Sequence, residues 1–399
     1  MIKFYNLINF ILLSIAQMCF KRNREESNNN FLIIRLDAIG DMILFSPFVR
    51  ELRQQQPNAK ITLIISPVVK DLYKDCPYVD DILYFNGRKK IRPQIITSTL
   101  RALIWGTKNL NRNVFDTVML PRQGTDTEGA LMLAITSHAK NIISFSEKQT
   151  IERAVCNKRY DKFFTTKVQT NSVTHEVEAN LNFLRQAGFG NINSDKLEIW
   201  FSSDMHEKIK IGDICIKKKI KDDDLLIAIG FSATQKPRCW PTKNFKELFT
   251  LIEKNYPNAK IILIGGPGDE DQAIKLREDT NNIVSLVGEL SLKETAMMLK
   301  KCDIYIGNDS GPMHIAAAVK TPVIEISYFP KDGEKGHGNS PFRFGPWQNR
   351  NIILQPEKAL PPCTEKCLSS NAHCITQITE QQVFTALKNL IDGFKTKNN

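Results

Sequence analysis

Short apolar runs alternate with helix-period stretches along this chain, and they do so in two separate series. In the first, residues 31–36, 60–65, 81–85 and 114–120 read as strands, with helical periodicity over 42–56, 93–106 and 126–138. The second has strand-like runs at 225–229, 260–264, 283–287, 303–306 and 322–326, separated by helical stretches at 242–256, 269–278 and 291–301. Parallel strands need a long crossover, usually a helix, so this alternation predicts βαβ units and an α/β fold. A chain of 399 residues exceeds what one core usually organises. We therefore expect two doubly wound, Rossmann-like domains facing each other across a cleft. The expected boundaries are an amphipathic segment and linker at 1–30, an N-terminal domain at 31–203, a charged linker at 204–223, a C-terminal domain at 224–379, and a helix with tail at 380–399.

Ligands of such sheets bind beyond the carboxyl ends of the strands, and chemistry-bearing residues gather there. The run at 304–308 passes through Asp309, Ser310 and Gly311 into a small-residue helix. Such a turn aims backbone N–H groups and the positive end of a helix dipole outward, which suits a diphosphate. Gly311 permits close approach, and Pro312 fits the first helical turn. Asp309 and His314 add polar contacts; the alternative is an ordinary helix capped by Ser310. Arg35 to Asp41 follows the first strand, and Gly40 and Asp41 place a carboxylate at a helix start, where a plain N-cap is the alternative. Segment 230–241 carries Ser232, Thr234, Lys236 and Arg238 beside Trp240, cations and hydroxyls fit to neutralise a diphosphate. In the glycine-rich turn 265–270, Asp269 or Glu270 is placed to take ribose hydroxyls.

A formal charge of +11 and a pI near 9.1 call for an anionic partner: nucleic acid, a phospholipid surface or a phosphorylated substrate. The chain has no nucleic-acid-binding module signature and no finger spacing, which removes the first. Residues 4–20 are apolar, yet Lys3, Asn6, Asn9, Ser14, Gln17 and Lys21 fall on one arc at 100° per residue. This predicts an amphipathic interfacial helix whose basic end, residues 21–24, meets anionic lipid, with an uncleaved single span or a signal peptide as the alternatives. The basic runs at 88–92 and 217–221 read as solvated faces. Nine scattered cysteines fit a reducing compartment. Of these, Cys363, Cys367 and Cys374 cluster. They read as thiols in a surface loop; the alternatives are one bridge, or a structural metal if His373 supplies a ligand.

Taken in order, these segments resemble glycosyltransferase family 9, the lipopolysaccharide heptosyltransferase family of GT-B architecture. The resemblance spans roughly residues 31–345, is most specific at 35–41, 236–241 and 309–314, and is loose over 331–347 and the cysteine cluster. It implies inverting, metal-independent transfer of a sugar, most often heptose from ADP-heptose, onto a hydroxyl of a lipopolysaccharide core or lipid A type acceptor, with no cofactor. Asp41 maps onto the family's general base, expected to be ionised near neutral pH, with Arg35 and Gly40 on the acceptor side. Arg238 stands where the family often has lysine; with Ser232, Thr234, Lys236, Ser310, Gly311 and Pro312 it is expected at the donor diphosphate. Asp309 and His314 are expected at the sugar, Asp269 or Glu270 at the ribose, and Leu290 beside the adenine. The implied partners are a nucleotide-sugar donor, an acidic glycolipid and the inner leaflet, and not nucleic acid. The implied location is the cytoplasm, peripheral to the inner membrane. Transfer of N-acetylglucosamine or another sugar, a nucleotide-sugar 2-epimerase and a non-catalytic nucleotide-sugar scaffold are the alternatives. By analogy with GT-B chains, helix 380–394 is expected to pack back on the first domain.

Overall fold

A computed structural model describes residues 2–20, 29–88, 93–110, 114–170, 172–203, 205–278, 282–364 and 368–395. The basic run at 21–24, most of that at 89–92, Cys367, the side chain of Lys3 and the last four residues lie outside the described set. The chain divides into two compact units, Met1–Asp195 and Lys196–Asn399.

The first unit is built on six parallel strands: β1 (Asn30–Arg35), β2 (Lys60–Ile65), β3 (Asp81–Tyr84), β4 (Thr117–Leu120), β5 (Asn141–Phe145) and β6 (Thr166–Val168), in the order β3-β2-β1-β4-β5-β6. The chain winds one way from β1 to β3, then returns to place β4 beside β1, pairing Ile33 with Met119. That reversal opens a crevice at the carboxyl ends of β1 and β4, where a doubly wound sheet takes its ligand. The central strands β1, β2 and β4 bury nearly all their residues, as strands covered on both faces do.

The second unit repeats the plan with β7 (Leu225–Gly230), β8 (Ala259–Leu263), β9 (Ile283–Ser285), β10 (Ile304–Asn308), β11 (Val323–Ile326) and β12 (Asn351–Leu354), ordered β12-β11-β10-β7-β8-β9. Here the reversal lies between β7 and β10, with Gly307 opposite Gly230. A Cβ on Gly307 would sit 2.5 Å from the Gly230 carbonyl oxygen, so only glycine lets these strand ends lie together. The loop after β7 and the turn after β10 are thereby neighbours.

Three expectations change. The segment at 204–223 is no linker: helix His206–Lys217 buries Ile211 and Cys215, packs on helix Leu292–Lys301, and joins it through Lys210 Nζ and Glu294 at 2.8 Å. Helix Glu380–Lys395, expected on the first domain, packs on helix Thr242–Asn255, β11 and β12 of its own unit. Its Val383, Phe384, Leu387, Leu390 and Ile391 recur at helical spacing and complete that unit's core with Trp240, Phe245 and Phe249.

Helix Ile2–Cys19 also differs from expectation, in its orientation. The polar arc faces protein: Asn9 is buried and its Nδ2 donates to Tyr160 Oη at 2.7 Å, and Asn6 Nδ2 donates to the Val155 carbonyl at 2.9 Å. The opposite face exposes Phe4, Leu7, Ile11, Ile15 and Met18, an apolar ridge at intervals of three and four residues. Among the described residues no helix is long and apolar enough to cross a membrane.

Candidate active site

In the first unit, β1 ends at Arg35 and the chain turns through Asp37 into helix Ile39–Leu44, with Ala38 at its N-cap. Asp41 therefore is not the cap; it stands in the first helical turn with Gly40 before it. Asp41 is half-buried, and its carboxyl is pushed up to about 7. Burial contributes most and the neighbouring Asp37 charge comes next, against the pull of Arg35. This corrects the expectation of a carboxylate ionised near neutral pH: burial and a like charge favour its protonated form. A base with its pKa near the working pH is well matched to taking a proton.

Arg35, expected on the acceptor side, is 1% exposed. Its guanidinium is spent internally: on Asp37, on Glu176 Oε1 at 2.9 Å, on Asn180 Oδ1 at 2.7 Å, on the Pro121 carbonyl at 2.8 Å and over the Phe45 ring. It cannot reach a substrate. It fixes the turn that presents Asp41 instead. Arg122, just past β4, pairs with Asp37 at 2.9 Å and Glu128 at 3.0 Å, and Arg88 reaches Glu128 at 2.9 Å. Burial alone would raise the Asp37 carboxyl, but Arg122 and Arg35 hold it below its usual range. Asp37, Arg122 and Glu176 were not singled out from sequence. Arg122 carried a readable signal, a cation following the strand that reverses the winding.

In the second unit, the loop after β7 is pinned from both sides. Asn308, at the end of β10, takes the Trp240 backbone N–H at 3.0 Å and donates to the Phe231 carbonyl at 2.8 Å; buried Trp240 donates its indole N–H to the Ile378 carbonyl at 2.8 Å. Within that loop the short turn Lys236–Arg238 carries Arg238 to an ion pair with Asp309, with the guanidinium 5.8 Å from the Tyr328 ring centre. Ser310 is the N-cap of helix Gly311–Ala318, the alternative weighed for it, although its hydroxyl makes no capping bond, and Pro312 sits in the first turn. His314 is buried with Nε2 3.9 Å from Asp309 and Nδ1 without a hydrogen-bond partner among the described residues. Burial drives its pKa down to about 4, with Arg238 adding to and Asp309 opposing the shift, so it is a neutral imidazole. Glu325, on β11, was missed by sequence reasoning despite being an acid within an apolar strand. Burial and then Asp309 push its carboxyl well above the usual range.

Thus Arg238, Asp309, Ser310, Gly311, Pro312 and His314 come together. Thr234 and Lys236 are exposed on the same loop. Ser232 is diverted: it donates to Asp269 Oδ2 at 2.9 Å, and the same oxygen takes the Gly266 N–H at 2.8 Å. Asp269 thereby closes its own turn. Glu270 is exposed at the start of helix Glu270–Arg277, its carboxylate against Gly288, whose φ of +71° requires glycine. Leu290 is half-buried two residues farther on.

These features stand beside four findings of likeness. The chain is 24% identical over 369 residues, 90% of its length and 98% of the relative's, to lipopolysaccharide heptosyltransferase 1 of Campylobacter coli. Its fold matches the crystal structure of a family 9 glycosyltransferase from Veillonella parvula with a TM-score of 0.73, at 20% identity over 92% of this chain and 99% of that one. It also matches Escherichia coli heptosyltransferase WaaC with ADP, with a TM-score of 0.63 and 16% identity over 90% of this chain and 99% of that one. The model of glycosyltransferase family 9 (heptosyltransferase) matches residues 108–373, two thirds of the sequence, and the chain belongs to that family.

Proposed function

We propose that this protein transfers heptose from ADP-heptose, with inversion, onto a hydroxyl of a lipopolysaccharide-core acceptor at a membrane surface. Asp41 carries the reading: a half-buried carboxyl at a helix start, with its pKa near 7, is poised to accept the acceptor's proton. The oxygen so freed bonds to the anomeric carbon as the bond to the diphosphate breaks on the opposite face, through an oxocarbenium-like state. Arg238, Lys236 and the N–H groups of Ser310 and Gly311 receive the charge that develops on the leaving ADP. Neutral His314 and Asp309 address the sugar hydroxyls. Of the two acids proposed for the ribose, Glu270 is the better placed, because Asp269 is held by Ser232 and Gly266.

ADP-heptose is favoured by the relatives, a Campylobacter coli lipopolysaccharide heptosyltransferase and a fold neighbour solved with ADP. The apolar ridge of helix Ile2–Cys19 supports the membrane surface as the place of work. Arg159 and Lys162 flank the helix at 5.5 and 5.8 Å from the Phe10 ring centre, and add attraction for anionic headgroups. The test is transfer from ADP-heptose to a heptose-deficient core acceptor, measured by mass spectrometry for wild type and Asp41→Ala. Wild-type transfer, with ADP binding kept and turnover lost in the variant, is the expected result. Near-normal turnover in Asp41→Ala overturns the assignment of the base, and absence of wild-type transfer overturns the substrate pair.

A further inference from the structure

Far from Asp41 in sequence, the second unit gathers Cys363, His373 and Cys374. Both cysteines are buried, at 4% and 7% exposure, which corrects the expectation of thiols in a surface loop. Their sulfurs converge on one atom: His373 Nδ1 lies 3.6 Å from Cys363 Sγ and 3.5 Å from Cys374 Sγ, and the three ligand atoms all lie within 4.8 Å of one another.

An imidazole nitrogen has one lone pair or one proton, so Nδ1 can satisfy only one of two sulfurs by hydrogen bonding. A metal ion serves all three. With Zn–S near 2.3 Å and Zn–N near 2.0–2.1 Å, tetrahedral angles put sulfur and nitrogen ligands about 3.6 Å apart, the spacing found here. The sulfurs also accept backbone N–H groups, from Leu368 onto Cys363 at 3.3 Å and from Leu360 onto Cys374 at 3.4 Å. Such donors support thiolates rather than thiols and orient them as metal ligands.

We propose that Cys363, Cys374 and His373 Nδ1 bind a zinc-type divalent ion, each thiol releasing its proton to solvent as its sulfur takes the metal. The role is structural. His373 precedes the turn Cys374–Gln377, which packs on the turn Lys236–Arg238, and Pro237 and Tyr328 line a small cavity shared with the three ligands. The ion thus braces the back of the loop that carries Arg238. The binding claim itself is independent of the transferase reading.

The experiment loads the full-length protein with zinc under reducing conditions, removes excess by gel filtration and measures metal by mass spectrometry. About one zinc per chain is expected, lost in Cys363→Ser and in Cys374→Ser. Because either variant can misfold, wild type stripped of metal is also titrated with Co2+. Thiolate-to-cobalt charge-transfer absorption, and a melting temperature that rises on zinc return, are expected. Retention of no more zinc than the serine variants retain overturns the site. So does a cobalt titration without thiolate absorption, or a Cys363–Cys374 disulfide in reduced preparations. Iron held in preference to zinc at equal supply overturns the choice of ion.

Discussion

Replacing Asp41 by asparagine should stabilise the protein while it removes turnover. The carboxyl is raised from 3.8 to about 7 in the folded chain, so the fold binds its proton more tightly than the unfolded chain does. Between these values folding takes up a proton, and stability falls as pH rises; above pH 7 the whole cost of holding the charge is present, and below about pH 4 none of it is. About three units at roughly 1.4 kcal/mol each give a ceiling of about 4 kcal/mol. Asp41 is half-buried and titrates against Asp37, so part of that is screened or shared, leaving about 2–4 kcal/mol. For a unit of this size the gain corresponds to a rise of roughly 5–15 °C in melting temperature at pH 8. Asparagine keeps the shape and polarity of the site, so the change reports the charge. Calorimetry of wild type and Asp41→Asn at pH 8, 6 and 4 is the assay. A variant no more stable than wild type at pH 8, or an increment that persists undiminished at pH 4, refutes the claim that burial and Asp37 load strain onto this carboxyl.

The same electrostatics shape the rate. The acidic limb of kcat/KM should have its midpoint near pH 7, and Asp37→Asn should move it down by about a unit or more, because a like charge is removed and Arg35 and Arg122 are left less neutralised; an unmoved limb in the pH profile refutes this. Arg238→Ala should weaken donor binding by calorimetry roughly 10- to 100-fold and also lower the melting temperature, since buried Asp309 loses its counter-ion, with Arg238→Lys intermediate in both. Ile11→Glu combined with Ile15→Glu should reduce sedimentation with anionic vesicles at least tenfold and shift the melting temperature by no more than about 2 °C, because both side chains are about half exposed; equal vesicle binding refutes the ridge as the contact.

The alternating pattern made both sheets legible, because strands buried on two faces read as continuous apolar runs. Two edge strands escaped, β6 with three residues and β12 with four half-buried ones, too short for a periodicity to register; so did the interior strand β5, whose apolar run is broken by Ser144. Helix His206–Lys217 was hidden by its charges. Its buried face rests on Ile211 and Cys215, and the lysines around them read as solvated chain. At the candidate site, the residues after each strand were readable because turn chemistry and sheet topology are local. Burial and pairing are not. Nothing near Ser232 in sequence announces that Asp269, thirty-seven positions away, takes its hydroxyl. Arg35 likewise looks like a ligand-facing cation until Glu176 and Asn180 are folded against it.

The two units use buried acid in opposite senses. In the first, Asp37 is kept charged by its cations, and burial together with that charge holds the proton on Asp41, so the acid pair stores basicity for a single transfer. In the second, Arg238 is already matched by Asp309, burial keeps His314 uncharged, and burial with the Asp309 charge pushes the Glu325 carboxyl well above its usual range. Were Glu325 ionised, two carboxylates would face one guanidinium, and an incoming diphosphate would meet net repulsion. The Arg238–Asp309 pair by itself is close to neutral. Arg238 then meets the donor with its charge partly offset, and the N–H groups opening helix Gly311–Ala318 and exposed Lys236 add to its attraction. Such an arrangement favours charge that appears on the leaving group over charge already spread across the bound donor, because backbone dipoles are fixed in place and need no reorganisation when the glycosidic bond breaks.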